Sequence, residues 1–213
     1  MVTAMLLATL VVPQTFTKTP TDDVWVYPHA SDPQKDAYLR IWGAGGKAVA
    51  GKSESIEDFS YCYLKFDLSD IPGEATLKEA RLILTAVADP GWTKSDLKST
   101  PLEARLAGSG FTEKDWVYES FAAKLAPGEA KESIFGVAEV GEIEKGKEPV
   151  LTIDLLAGPG KFADEVKAAK GKALALALTS RLDPSELGRA AIIKTYSKDG
   201  PEKFRPVLRL VFE

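Results

Sequence analysis

Tyr61-Cys62-Tyr63-Leu64-Lys65-Phe66-Asp67-Leu68-Ser69-Asp70-Ile71-Pro72 alternates along its length and then runs into a Pro72-Gly73 turn. Side chains alternate across a strand, so Cys62, Leu64, Phe66 and Leu68 share one face and Tyr61, Tyr63, Lys65 and Asp67 the other. The first set is a core face. The second is aromatic and charged, and it suggests a surface on which something binds.

The same pattern repeats outward from this strand. Period-2 or apolar segments occur at 24–27, 38–42, 80–87, 102–106, 150–155, 173–179, 191–196 and 207–212. Turn chemistry separates them: Pro28 to Pro33, Gly43 to Gly46, Asp89-Pro90-Gly91, Ala126-Pro127-Gly128 and Asp199-Gly200-Pro201. Many short strands at close spacing predict an all-β sandwich. One stretch has helical spacing: over 162–170, Phe162, Val166 and Ala169 fall on one face, Asp164 and Glu165 sit early, and Gly171 can close the helix. In Ala173-Leu174-Ala175-Leu176-Ala177-Leu178 leucine takes one face and alanine the other. This predicts a central strand whose small-residue face lies beneath a loop or floors a groove, with large side chains of neighbouring strands around it.

The 213 residues suffice for one large β domain, and with 45% hydrophobic and 27% charged residues the composition is that of an ordinary globular protein. A net charge of -4 gives no basis for nucleic-acid binding, which calls for a clustered positive field. The single cysteine, Cys62, excludes an internal disulfide and a cysteine-based zinc site, and its place between core-facing neighbours reads as a small buried hydrophobe. The single histidine, His29, has no Gly-x-Ser-x-Gly elbow to accompany it, and no Walker loop or dinucleotide fingerprint is present. No carboxylate pair stands out for glycosidase chemistry, because the separation that matters there is spatial. The expectation is a protein that is not an enzyme, with a small esterase or lyase as a remote reading.

Ala4 to Val12 is an apolar run similar to the hydrophobic region of a secretory signal peptide, without a preceding Lys or Arg or a clean small-x-small cleavage site. It is too short to span a bilayer as a helix. Both its faces are apolar, so it also reads as an anchoring or inter-subunit strand. The expected organisation is residues 1–20 as this N-terminal segment and 21–213 as a single sandwich domain.

Tyr63-Leu64-Lys65-Phe66-Asp67-Leu68-Ser69-Asp70-Ile71-Pro72 resembles the "YLRFDLS-x-x-P" signature of DNRLRE-type extracellular β-sandwich modules, which are carbohydrate-binding-module-like. Ala75 to Leu84 is similar to that family's "ATI-x-x-AKLRL" strand, and Phe111-Thr112-Glu113-Lys114-Asp115-Trp116-Val117-Tyr118 to its "W-T-E-x-x-V-T-W" region with Phe111 in place of the first tryptophan. Val150 to Leu155 resembles the strand that leads into a short helix, and Phe204-Arg205-Pro206-Val207-Leu208-Arg209-Leu210-Val211 the closing "RP-x-L-x-V". These segments run in the family's order from about residue 22 to the end of the chain. The stretch from Asp23 to Trp42 departs from the usual opening by carrying extra aromatics and an inserted Pro28 to Pro33 loop. The resemblance implies a jelly-roll module without catalytic residues, secreted or at the cell surface. It further implies a role in binding polysaccharide, acidic glycans such as alginate favoured, or else in an adhesive layer or fibre.

Polysaccharide recognition needs flat aromatic faces for sugar rings and cations for carboxylates. Strand parity places Tyr38, Arg40 and Trp42 on one face, Tyr61, Tyr63 and Lys65 on one face, and Lys194 with Tyr196 on another. If the three faces point the same way they form an aromatic-cationic surface, with Arg40 and Lys65 accessible among the rings. Trp92, after Asp89-Pro90-Gly91, is a candidate stacking platform in a loop, whereas Trp116 reads as core. A structural calcium ion could draw on Asp22-Asp23, Asp67 and Asp70, or Asp154, and no spacing selects among them. Self-assembly through the N-terminal segment is the alternative partnership, with no nucleic acid and no membrane span.

Overall fold

A computed structural model describes residues 12–27, 30–32, 36–43, 45, 59–71, 75–88, 100–116, 127, 130–141, 143–169, 171–181 and 192–213. Its strands are β1 (Gln14–Lys18), β2 (Asp22–Tyr27), β3 (Ala30–Asp32), β4 (Tyr38–Ile41), β5 (Tyr61–Asp67) and β6 (Leu77–Thr85), followed by β7 (Thr100–Ala107), β8 (Ile134–Val140), β9 (Val150–Asp154), β10 (Ala173–Ser180), β11 (Ile193–Tyr196) and β12 (Val207–Phe212). Among the described residues the one α-helix is α1 (Phe162–Ala169). It buries Phe162 and Val166 as its spacing predicts, and Gly171 follows it at φ +75°, a conformation open to glycine at little cost.

The strands form a four-stranded sheet in the order β1-β12-β6-β9 and a six-stranded sheet in the order β3-β2-β5-β10-β7-β8, with a small β11-β4 ribbon. Every pairing is antiparallel. If β2, β3 and the ribbon are set aside, the remaining strands pair from the outside inward: β1 with β12, β5 with β10, β6 with β9 and β7 with β8. That nesting, divided between two sheets, is jelly-roll topology. The expected all-β sandwich with one short helix is the fold. Residues 14–18, which sequence reading groups with the N-terminal segment, are a strand of the sandwich itself.

The core lies between the sheets. On β10, Leu174, Leu176 and Leu178 stand opposite Phe66, Leu64 and Cys62 of β5. They pack with Leu82 and Leu84 of β6 and Leu208, Leu210 and Phe212 of β12. Each such leucine, fully buried, contributes roughly 2 kcal/mol to folding. Where β8 and β9 close one side of the sandwich, Gly136 has no room for a side chain. An added Cβ would meet Ile153 Cγ2 at 2.8 Å, with the Asp154 carbonyl nearer still.

The outer face of the six-stranded sheet is buried as well. Ala177 stands between Tyr63 of β5 and Arg105 of β7, so its small side chain is what the two large neighbours leave space for. Residues 108–116 cross over this face: Phe111 and Trp116 pack with Tyr61, Tyr63, Val24, Val26, Ala175 and Ala177 in a second apolar cluster. The alanine face of β10 therefore lies beneath a loop, one of the two arrangements its sequence predicts.

Candidate functional site

The β4–β11 ribbon brings together one group of the sequence-predicted residues. Its register sets Arg40 opposite Lys194 and Tyr38 opposite Tyr196, so all four share a face. The Lys194 ammonium lies 4.1 Å from the Tyr38 ring centre, and Tyr38 and Tyr196 are 5.1 Å apart. Tyr196 stacks in turn on Phe204 at 4.7 Å, and Lys203 covers Phe204 at 4.3 Å. The Tyr196 hydroxyl donates to Glu148 Oε1 at 2.6 Å; this bond, with burial and the Glu148 charge, raises its pKa above the ordinary phenol range.

From the other end of the ribbon the same face continues onto β2. Trp25 and Tyr27 stack at 4.9 Å, and Trp42 joins them at 6.3 and 6.4 Å. The Arg40 guanidinium lies 4.9 Å from the Trp25 ring centre and is paired with Asp36. Asp36 also accepts from Trp25 Nε1 at 3.3 Å and from the Tyr38 amide at 3.1 Å. Asp36 thus holds the cation against the indole. The Trp42 indole N–H is buried without a hydrogen-bond partner among the described residues. Trp25 and Tyr27, half-buried, are additions that the sequence reading did not single out; their spacing two apart in β2 is the signal that could have found them.

The second group does not join this face. Tyr61 and Tyr63 are 0% exposed and belong to the core beneath the 108–116 cover, so they cannot stack on a ligand. Lys65 lies on the six-stranded sheet and Arg40 on the ribbon. The Lys65 side chain is 12% exposed, bonds Asp22 at 2.7 Å and the Phe111 carbonyl, and lies over the Phe111 ring. Its charge is spent on holding the cover. The expectation of two accessible cations on one surface is therefore corrected: Arg40, 24% exposed, and Lys65 are both tied into ion pairs on different sheets. Trp42 and Tyr196, at 6% each, form the floor of the ribbon face more than its surface. Trp116 is core as predicted, and Cys62 is buried. Trp92 and His29 lie outside the described residues.

Acidic groups from distant segments also converge. Oxygens of Asp23, Glu113 and Asp199 lie within 4.8 Å of one another, the one such grouping among the described residues. The cation in their midst is the Lys198 ammonium, 2.9 Å from Glu113 and 3.1 Å from Asp199. Burial works against that ammonium, but its bonds to Glu113 and Asp199 outweigh burial and raise its pKa. Of the carboxylates named from sequence as calcium ligands, Asp67 is engaged with Ser69 and Asp70 with Lys18.

No protein-family model matches this chain, and no curated protein is significantly similar to it in sequence.

Proposed function

We propose that the chain is a non-catalytic extracellular or cell-surface module that binds polysaccharide along the ribbon face, acidic glycans favoured. One observation carries this reading: Tyr38 and Tyr196, Arg40 and Lys194 oppose each other in register, and rings of Trp25, Tyr27 and Phe204 extend the row at both ends. Aromatic faces suit the apolar faces of sugar rings, and Lys194 and Lys203 suit carboxylates or sulfates. The resemblance to DNRLRE-type modules points the same way. Retention on alginate, pectin and cellulose gels tests it. Tyr27→Ala and Lys194→Ala should weaken retention on the acidic gels, and added salt should weaken the wild type. Lys65→Ala should bind as the wild type does. Equal retention of all four proteins on the three gels would reject the proposal.

A second reading rests on β1. It lies at the edge of the four-stranded sheet, paired on one side with β12, and Val12 just before it is 76% exposed. An edge of this kind can add a strand from another chain, for which the apolar run Ala4 to Val12 of a second copy is the proposed source, as a structural or adhesive subunit of a surface layer or fibre requires. Removing residues 1–11 leaves β1 in place. Loss of assembly in size exclusion on that truncation would favour the fibre, and an unchanged monomer the module.

A further inference from the structure

Three rings of the ribbon face form one stack, and a lysine covers each terminal ring. Tyr38 and Tyr196 are 5.1 Å apart between ring centres; Tyr196 and Phe204 are 4.7 Å apart at an interplanar angle of 18°. Lys194 Nζ stands over Tyr38 at 4.1 Å, and Lys203 Nζ over Phe204 at 4.3 Å. Tyr196, the middle ring, is buried and donates its hydroxyl to Glu148. It holds the stack together, and the two terminal rings are left to offer a face to a sugar. Both of those rings carry an ammonium. Arg40 over Trp25 differs from the two lysines, because Asp36 already bonds its guanidinium.

Granted the ribbon face as the polysaccharide site, on which this rests, we propose that Lys194 and Lys203 determine its specificity: each caps a ring that only an anionic polymer uncovers. An exposed cation–π contact is weak, whereas an ammonium–carboxylate hydrogen bond is roughly twice as strong as a neutral one. A polymer carrying carboxylates or sulfates therefore draws each ammonium off its ring and lays a sugar on the face it leaves. A neutral polymer brings no such group. It has to displace the ammonium without compensation, and the cap discriminates against it. Glu148, beside the middle ring, repels anionic groups there and keeps them to the two ends. The ligand that fits is an anionic glycan long enough to reach both lysines, with charged groups spaced along it. At Trp25 the same exchange gains little, since Arg40 would have to leave Asp36.

Alginate and polygalacturonate, each beside its neutral methyl ester, separate charge from sugar shape. Affinity electrophoresis of the full chain on the four polymers tests the caps. The wild type should bind the acids well and the esters more weakly. Lys194→Ala/Lys203→Ala should lose affinity for the acids. It should gain about two- to fivefold for the esters per uncovered ring, the size of an exposed cation–π contact. Lys194→Arg/Lys203→Arg keeps a cation over each ring and should keep the wild-type preference. A double alanine variant that binds the esters no better than the wild type would overturn the caps and leave the polysaccharide reading standing. So would a wild type that binds acids and esters equally. A wild type that binds none of the four polymers would overturn both.

Discussion

Arg105 is completely buried, and its Nη2 meets Glu103 Oε2, two residues back on the same strand, at 2.6 Å. The pair sits on the outer face of β7, not in the core between the sheets. Thr179 Oγ1 donates to the same Glu103 oxygen at 3.2 Å, and Arg181 Nε bonds the other oxygen at 2.7 Å. Arg105 Nη1 reaches the Ala130 carbonyl at 3.1 Å and Ser133 Oγ at 2.9 Å, which ties the chain entering β8 down onto the sheet. Removing one partner of such a pair strands a charge away from water, at a cost of about 3–5 kcal/mol. Glu103→Ala should lose about that much in urea unfolding. The double variant Glu103→Leu/Arg105→Met should be less damaged than Glu103→Ala, because it removes both charges. A double variant weaker than the single one by a further several kcal/mol would show that the pair is a net source of stability.

Gly136 marks a place where two backbones touch. Gly136→Ala drives a methyl group against Ile153 and the Asp154 carbonyl, and should cost about 1–3 kcal/mol or more. Gly141, just beyond β8, has open space around its missing Cβ, so Gly141→Ala should leave the unfolding midpoint nearly unchanged. Equal midpoints for the two variants would contradict the close approach of β8 and β9.

The buried aromatic face makes a prediction that separates stability from binding. Tyr63 packs on Phe111 at 6.0 Å and on Trp116 at 5.2 Å between ring centres. Tyr63→Ala should destabilise the fold by about 3–5 kcal/mol. At temperatures where it remains folded, its retention on acidic glycan gels should match the wild type. A variant that stays fully stable but loses retention would place Tyr63 on the ligand surface after all.

Period-2 alternation makes the core faces of β5, β10 and β12 legible in the amino-acid order itself, because both neighbours and the opposite sheet demand the same apolar row. It fails at β8, where Ile134 and Phe135 are both buried and Gly136 interrupts the pattern, and at β1, an exposed edge strand with Phe16 as its only large apolar residue. Parity also sorts Tyr38 with Arg40 and Lys194 with Tyr196 correctly. It cannot tell that Tyr61 and Tyr63 are covered, since the covering residues Phe111 and Trp116 lie far along the chain. Nor can it reveal the meeting of Asp23, Glu113 and Lys198, which depends on how three separate segments cross.

The last prediction concerns Asp23 and global stability. Its folded carboxyl is raised to about 7 from an ordinary value of 3.8. A raised acid favours the folded state while it holds its proton, and that contribution is complete below the unfolded value. It is lost as pH rises, because the unfolded chain gives up the proton first, and the loss ends once the folded carboxyl has ionised too. Wild-type stability should therefore decline between about pH 4 and pH 7 from this residue and hold level above. Each pH unit in that window is worth up to about 1.4 kcal/mol, so the total is a few kcal/mol at most. Asp23→Asn keeps the acceptor for the Lys198 amide and carries no charge to repel Glu113 or Asp199. Its advantage in urea midpoint over the wild type should be small at pH 4, grow to pH 7 and stay constant to pH 8. An advantage that is the same at every pH would mean that shape, not charge, governs this site. An Asp23→Asn protein less stable than the wild type at pH 8 would mean that the Lys198 ammonium already compensates the buried carboxylate.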